Sequence, residues 1–250
     1  VTASRGGILF DLFGTLVRCD ASILPEITIG GRPIRSTIGR WAGLLAELLP
    51  GVELEPFAAA LETVSRGFAR ERAGTHVEHP SRERFRRALE QVGVTAGVAA
   101  AVAPALSRAH MRAIVETTRF PEAHAAVLAW AARRGPVGVV TNFDDTATAY
   151  QILERHGVLA RVQTVVVSEA VGLRKPHPAL VTLALRDLGL APAEALMVGD
   201  DVVDDVGAAR GAGVDAAWID AAGTGVPSGV PVPRYVVRGL PELPGIVDAR

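Results

Sequence analysis

Between Pro121 and Ile219 short apolar runs alternate with helix-like stretches, and the helices stop at glycines. The pattern predicts helices over 123–134, 146–156, 178–188 and about 203–212, followed by Gly135, Gly157, Gly189 and Gly213. A glycine just past the last turn takes the left-handed conformation that closes a helix. The intervening runs, 137–141, 162–167, 195–198 and 216–219, are apolar almost throughout rather than at every second residue. Such runs read as strands buried on both faces. Strands separated by helices are parallel, and the helices cover both faces of their sheet. The pattern predicts an α/β chain with a doubly wound parallel sheet. Residues 220–234, rich in Gly and Pro, read as a loop.

One more strand opens the chain. Gly7-Ile8-Leu9-Phe10 leads into Asp11, and Leu12-Phe13-Gly14-Thr15-Leu16-Val17 follows. A carboxylate at the carboxyl end of a buried strand stands at the crevice where open α/β sheets bind ligands. It is costly there without a cation or a hydrogen-bond partner. An Asp that caps a turn fits the same stretch, which by itself leaves both readings open.

The chain then leaves the sheet. Residues 26–35 read as a hairpin turning at Gly30-Gly31. From Arg40 to about Val115 the pattern is helical. Trp41, Leu44, Leu45, Leu48 and Leu49 share one face, and Pro56 opens a second helix carrying Phe57, Leu61 and Val64. Ser81 is expected to cap a third, with Phe85, Leu89 and Val92 inward, and 106–115 forms a fourth. Two domains are expected: 1–19 with 117–250 as the sheet domain, and 20–116 as an inserted α-helical domain. Arginines 70, 72, 82, 84, 86 and 87 crowd the insert as a solvated helix face, or as a rim attracting an anionic substrate.

Composition narrows the function. Hydrophobic content of 49% with 21% charged residues is that of a soluble globular chain. A net charge of −1 provides no global basic field for nucleic acid. The longest apolar stretch, 92–106, falls short of the ~20 residues a membrane span needs and contains Pro104. Val1–Arg5 shows no apolar signal region. Cys19 is the single cysteine, which excludes an intramolecular disulfide and a cysteine metal site and fits a reducing cytoplasm. Of the 26 basic residues only Lys175 is lysine, which points to a position needing a compact point charge rather than a planar fork.

Three later stretches carry candidate chemistry. The run 137–141 ends in the hydroxyl of Thr141, followed by Asn142. The lone lysine lies in Arg174-Lys175-Pro176-His177-Pro178. Val198-Gly199 runs into Asp200, Asp201, Asp204 and Asp205, four carboxylates in six residues. Like charges this close raise one another's pKa unless a cation or hydrogen bonds compensate. Oxygen ligands alone favour Mg²⁺, and helix capping accounts for one or two of the four acids.

With Asp11-x-Phe13-Gly14-Thr15-Leu16, these stretches resemble, in order and position, the four motifs of the haloacid dehalogenase-like (HAD) hydrolase superfamily. The resemblance implies a Rossmann-like core with a helical cap inserted after the first motif. It makes Asp11 the nucleophile and a metal ligand, with Gly14 and Thr15 on the substrate side. Thr141 would donate to a phosphoryl oxygen beside Asn142, and Lys175 would neutralise the nucleophile and the transferring group. Asp200 is the best Mg²⁺ ligand; Asp205 or Asp201 would hold a metal water or orient Lys175. Asp204 would face solvent or cap the helix, and His177 would play a supporting part.

Phe13 departs from the pattern, because most phosphatases of that family have a second Asp there. That acid protonates the leaving group and later activates water, a role worth ~10²–10⁴-fold. The family's metal ligand at this position is the backbone carbonyl, so metal binding should survive. The function this implies is Mg²⁺-dependent hydrolysis of a small, anionic phosphate ester through an aspartyl phosphate, with Phe13 in place of the acid/base. A 2-haloacid dehalogenase is the alternative. Those relatives carry an aromatic residue two after the nucleophile, a Ser-Asn pair that Thr141-Asn142 resembles, and a cap arginine, a part Arg40 could play. They need no metal and lack the acidic fourth motif. A phosphonoacetaldehyde-type hydrolase needs a cap lysine, and 20–116 has none. A non-catalytic binding protein on the same fold is a further option; intact Asp11, Lys175 and Asp200 argue against it. No nucleic-acid or membrane partner is expected, and the oligomeric state is left open.

Overall fold

The computed structural model describes residues 6–249. Val1–Arg5, with the signal-region reading and the first residues of the expected sheet domain, and Arg250 lie outside the described residues. The chain divides into two units, one formed by residues up to Arg18 and from Arg119 onward, the other by Cys19–Thr118.

Along the chain, β1 (Gly7–Phe10) and β2 (Arg18–Cys19) come first. The second unit holds β3 (Glu26–Ile29), β4 (Arg32–Arg35), α1 (Ile38–Leu48), α2 (Leu54–Thr75), α3 (Ser81–Gln91) and α4 (Ala96–Thr117). After β5 (Thr118–Arg119) come α5 (Glu122–Arg134), β6 (Val137–Thr141), α6 (Thr146–Arg155), β7 (Thr164–Val167) and α7 (Ser168–Val171). The remainder is α8 (Ala179–Leu188), β8 (Ala195–Gly199), α9 (Asp204–Gly211), β9 (Asp215–Ile219), β10 (Tyr235–Val237) and α10 (Leu243–Asp248).

The first unit is built on a six-stranded parallel sheet in the order β10-β9-β8-β1-β6-β7. From β1 the chain builds outward through β6 and β7, then returns to the other side of β1 with β8, β9 and β10. That reversal opens a crevice at the carboxyl ends of β1, β8 and β6. The register sets Phe10 opposite Val198 and Val139, so the residues following those strands meet there. All four residues of β1 and all five of β6 are buried, as their uninterrupted apolar character requires. Leu9, Val140, Met197 and Trp218 pack beneath Leu180, Val181 and Ala184 of α8 and Val206, Ala208 and Ala209 of α9.

The second unit has its own core, in which Trp41 meets Phe57 and Phe85 edge-on at ring-centroid distances of 5.8 and 5.6 Å. Leu45, Leu89 and Leu106 complete it. The hairpin turns at Gly30 and Gly31 with φ of 58° and 73°, the two left-handed residues that its tight turn demands. Three of the six crowded arginines are engaged inside this unit: Arg86 and Arg87 pair with Glu83, Arg86 also with Glu90, and Arg72 with the buried Glu78.

Several local expectations are corrected. Helix α4 runs unbroken through Pro104, whereas 106–115 alone was expected. Proline removes one ladder bond and crowds the preceding turn; burial of Ala99, Ala103 and Leu106 on the core side offsets that cost. Ser81 is the first residue of α3 rather than its cap, and its buried hydroxyl accepts from Arg84. Leu48 lies exposed. A sixth strand, β10, follows the Gly/Pro loop; three residues are too few for a periodic signal.

Candidate active site

Asp11 continues β1 into the crevice, its N–H donating to Val198 O at 2.9 Å. Lys175 reaches it from the segment between α7 and α8, only 1% exposed. The three ammonium protons have three acceptors: Asp11 Oδ1 at 2.6 Å, Asp205 Oδ1 at 2.6 Å and Val140 O at 2.8 Å. An ammonium offers three donors and no more, so the lone lysine is fully satisfied between two buried acids.

Asn142 fixes the backbone behind that side chain. Its Oδ1 accepts from Lys175 N at 2.7 Å, and its Nδ2 donates to Lys175 O at 3.0 Å and to Asp204 Oδ2 at 2.9 Å. The amide expected beside Thr141 among the catalytic residues thus holds the backbone of Lys175. Asp204, expected to face solvent or cap the helix, is half-buried against Asn142. Asp201, named as a possible metal residue, has one oxygen engaged locally: its Oδ1 accepts from Val203 N at 2.8 Å and Asp204 N at 2.9 Å, closing the turn that leads into α9. His177 Nδ1 accepts from Ala179 N at 3.2 Å at the start of α8.

Two glycines let the acids approach the strand ends. Gly14 has φ of 82°, and a Cβ there would lie 2.2 Å from Asp200 Oδ2. A Cβ on Gly199 would lie 2.0 Å from Asp205 Oδ2. Thr15, buried, donates to Asp200 Oδ1 at 3.1 Å, and Trp218 Nε1 donates to Asp200 O at 3.0 Å. Gly14 and Thr15, expected on the substrate side, therefore shape and hold Asp200. Thr141 ends β6 with its hydroxyl buried and, among the described residues, without a hydrogen-bond partner. A buried hydroxyl left unpaired costs ~1–3 kcal/mol, which a ligand oxygen would relieve. Arg40 belongs to the second unit, where its guanidinium lies 3.5 Å from Glu116.

One ammonium cannot neutralise two carboxylates. Burial pushes Asp11 up to about 7; Lys175 opposes that shift and Asp205 reinforces it. Asp200 keeps its side chain open to solvent, so its carboxyl is raised by partial desolvation at the crevice, with Asp205 adding to the rise. Asp204 is raised by burial and by Asp201. Burial alone would lower Lys175, but Asp11 and Asp205 outweigh it and hold the ammonium above its ordinary value. The surplus negative charge sits where one oxygen each of Asp11, Asp200 and Asp205 lie within 4.8 Å of one another. Oxygen donors alone, with excess charge, suit a hard divalent cation such as Mg²⁺.

Phe13 carries no acid into this site. Its ring meets that of Phe143 with centroids 4.8 Å apart and planes at 53°. Phe143 is held at both backbone polar groups by Ser168, which accepts from its N–H at 2.8 Å and donates to its carbonyl at 3.1 Å. Neither Phe143 nor Ser168 was picked out in the sequence. The aromatic two places after Thr141, mirroring Phe13 two places after Asp11, was the available signal.

A family model described as haloacid dehalogenase-like hydrolase matches residues 6–213. The chain belongs to that family. It is 40% identical over 143 residues to the phosphoserine phosphatase of Thermus thermophilus, covering 56% of this chain and 55% of that protein. The chain thus matches about half the length of that relative. A ribulose-1,5-bisphosphate 5-phosphatase of Halopiger xanaduensis is 30% identical over 167 residues, covering 66% of this chain and 69% of the relative. The fold is shared with a 2-haloacid dehalogenase from Pseudomonas syringae pv. Tomato at a TM-score of 0.73, with 22% identity and 98% of each chain covered. No helix of the described residues is long and apolar enough to cross a membrane.

Proposed function

We propose that the protein is a Mg²⁺-dependent phosphohydrolase of small, anionic phosphate esters, with Asp11 as nucleophile. The acidic cluster of Asp11, Asp200 and Asp205 around Lys175 carries this reading. Attack by a carboxylate on a haloacid needs no extra negative charge beside the nucleophile. Attack on a phosphate ester needs a site in which a cation offsets the charge of the approaching dianion. The two curated relatives described above are phosphatases by name.

Asp11, Asp200, Asp205 and the carbonyl of Phe13 would hold the cation. Bound Mg²⁺ would supply positive charge against the phosphoryl oxygens and lower the pKa of its carboxylate ligands. Asp11 Oδ attacks phosphorus, a new P–O bond forms to the carboxylate, and the ester P–O bond breaks. Thr141 donates to a phosphoryl oxygen, and Lys175, locked by Asn142, keeps its charge beside the reacting atoms. Water then attacks the aspartyl phosphate and frees Asp11 with inorganic phosphate. Phe13 can neither protonate the leaving group nor activate that water, so the leaving group departs as an anion or takes its proton from solvent. Esters with weakly basic leaving groups suffer least from that loss.

The experiment is a panel of phosphate esters and 2-chloropropionate, each assayed with and without Mg²⁺. Mg²⁺-dependent phosphate release is expected. Metal-independent chloride release, with no phosphatase activity, would overturn the reading in favour of a dehalogenase, for which the Phe13–Phe143 wall is the favouring observation.

A further inference from the structure

The rings of Phe13 and Phe143 stand at the carboxyl ends of the adjacent strands β1 and β6, each two residues beyond a polar residue of the site. Both are half-buried, so each keeps part of its apolar surface in water. Neither is loosely held. Ser168, itself fully buried, clamps the backbone of Phe143 from both sides. The tight turn after Phe13 is closed by Gly14 N to Val17 O and Val17 N to Leu12 O, both at 2.8 Å. Aromatic surface beside a charged cluster gives poor hydrogen bonding to water and to a hydrated sugar. It is good contact surface for a planar ring, because aromatic pairs gain from offset or tilted stacking beyond the area they bury.

We propose that Phe13 and Phe143 form the seat of the leaving group, and that the substrate class is a phosphate monoester of a phenol or another planar, weakly basic alcohol. The inference rests on the phosphohydrolase reading and narrows it. Two independent properties converge on this class. The site has no acid at position 13 to protonate a departing alkoxide, and a phenolate leaves without one. The same position offers a ring, which a ring-free acyl phosphate or phosphoanhydride, although its leaving group is less basic still, cannot use. Phe143 is thereby a specificity-determining residue.

The test compares phenyl phosphate with acetyl phosphate, each with Mg²⁺, on wild type, Phe143→Ala and Phe143→Tyr. The kcat/KM ratio of phenyl to acetyl phosphate should fall roughly tenfold in Phe143→Ala and recover in Phe143→Tyr. Equal losses on both substrates would show a purely structural role and overturn the inference while leaving the phosphohydrolase reading intact. Wild type that hydrolyses neither compound overturns that reading and the inference with it. A second measurement needs no variant. Phenylphosphonate should inhibit wild-type turnover of acetyl phosphate roughly tenfold more tightly than methylphosphonate. Equal inhibition overturns the inference alone.

Discussion

Lys175 owes its position to Val140 through its carbonyl, to Asn142 through its amide and to Asp11 and Asp205 through their carboxylates. Removing one partner of such a buried pair leaves an uncompensated charge and costs ~3–5 kcal/mol. That separates two classes of variant. Asp11→Asn keeps the volume and a hydrogen-bond acceptor for Lys175, so the protein should fold with an unchanged circular-dichroism spectrum and lose all turnover. Turnover within a factor of two of wild type would remove Asp11 from the mechanism. Phe13→Asp tests the missing acid. In wild type, rates across aryl and alkyl phosphates should fall steeply as the leaving group becomes more basic. The variant should flatten that slope and raise alkyl ester turnover by up to ~10²–10⁴-fold. A wild type that hydrolyses an alkyl ester as fast as an aryl one would mean that another group delivers the proton.

At the scale of elements, Asp201 and Asp205 show how four clustered carboxylates take different partners. The turn into α9 directs Asp205 back under Gly199 and Asp201 toward the N–H groups of Val203 and Asp204. Asp201→Ala should therefore destabilise the fold by ~1 kcal/mol through the lost turn hydrogen bonds, while Asp201→Asn retains most of them. Mg²⁺ affinity, measured by calorimetric titration, should stay within about twofold in both variants. A large loss of affinity in Asp201→Asn would return that carboxylate to the metal site. The sheet itself was legible, because strands buried on both faces write themselves as apolar runs and Gly closes the helices between them. Asp11, Lys175 and Asp200 were legible as strand-end or lone charges. What escaped depends on orientation rather than composition. The direction of Asn142, the division of labour among the four acids and the meeting of Phe13 with Phe143 are set by local backbone turns that carry no periodic signal. β10 escaped by its brevity, and α4 by tertiary burial overriding a proline.

The whole molecule should feel the site through its pH dependence. Folding moves Asp11 from the ordinary 3.8 up to about 7, chiefly by burial, and raises Asp200 and Asp204 in the same direction. A folded state that holds these protons more tightly than the unfolded chain is favoured by low pH. Their contribution is fully present below the unfolded pKa and is lost as pH rises through the folded value. Metal-free protein should thus lose thermal stability between about pH 4 and pH 7 relative to a variant lacking the titration, and Asp11→Asn should flatten that decline. Mg²⁺ competes with the same protons, so its effect has the opposite slope. At a hundred times its Kd it should add about 2.7 kcal/mol, with the Kd itself tightening as pH rises across this window. Thermal melts of wild type and Asp11→Asn at pH 5 and pH 8, each with and without Mg²⁺, separate the two effects. The Mg²⁺-induced rise in Tm should be small at pH 5, large at pH 8 and diminished at both in the variant. A rise equal at the two pH values would show that the cation binds away from the acids that burial has raised.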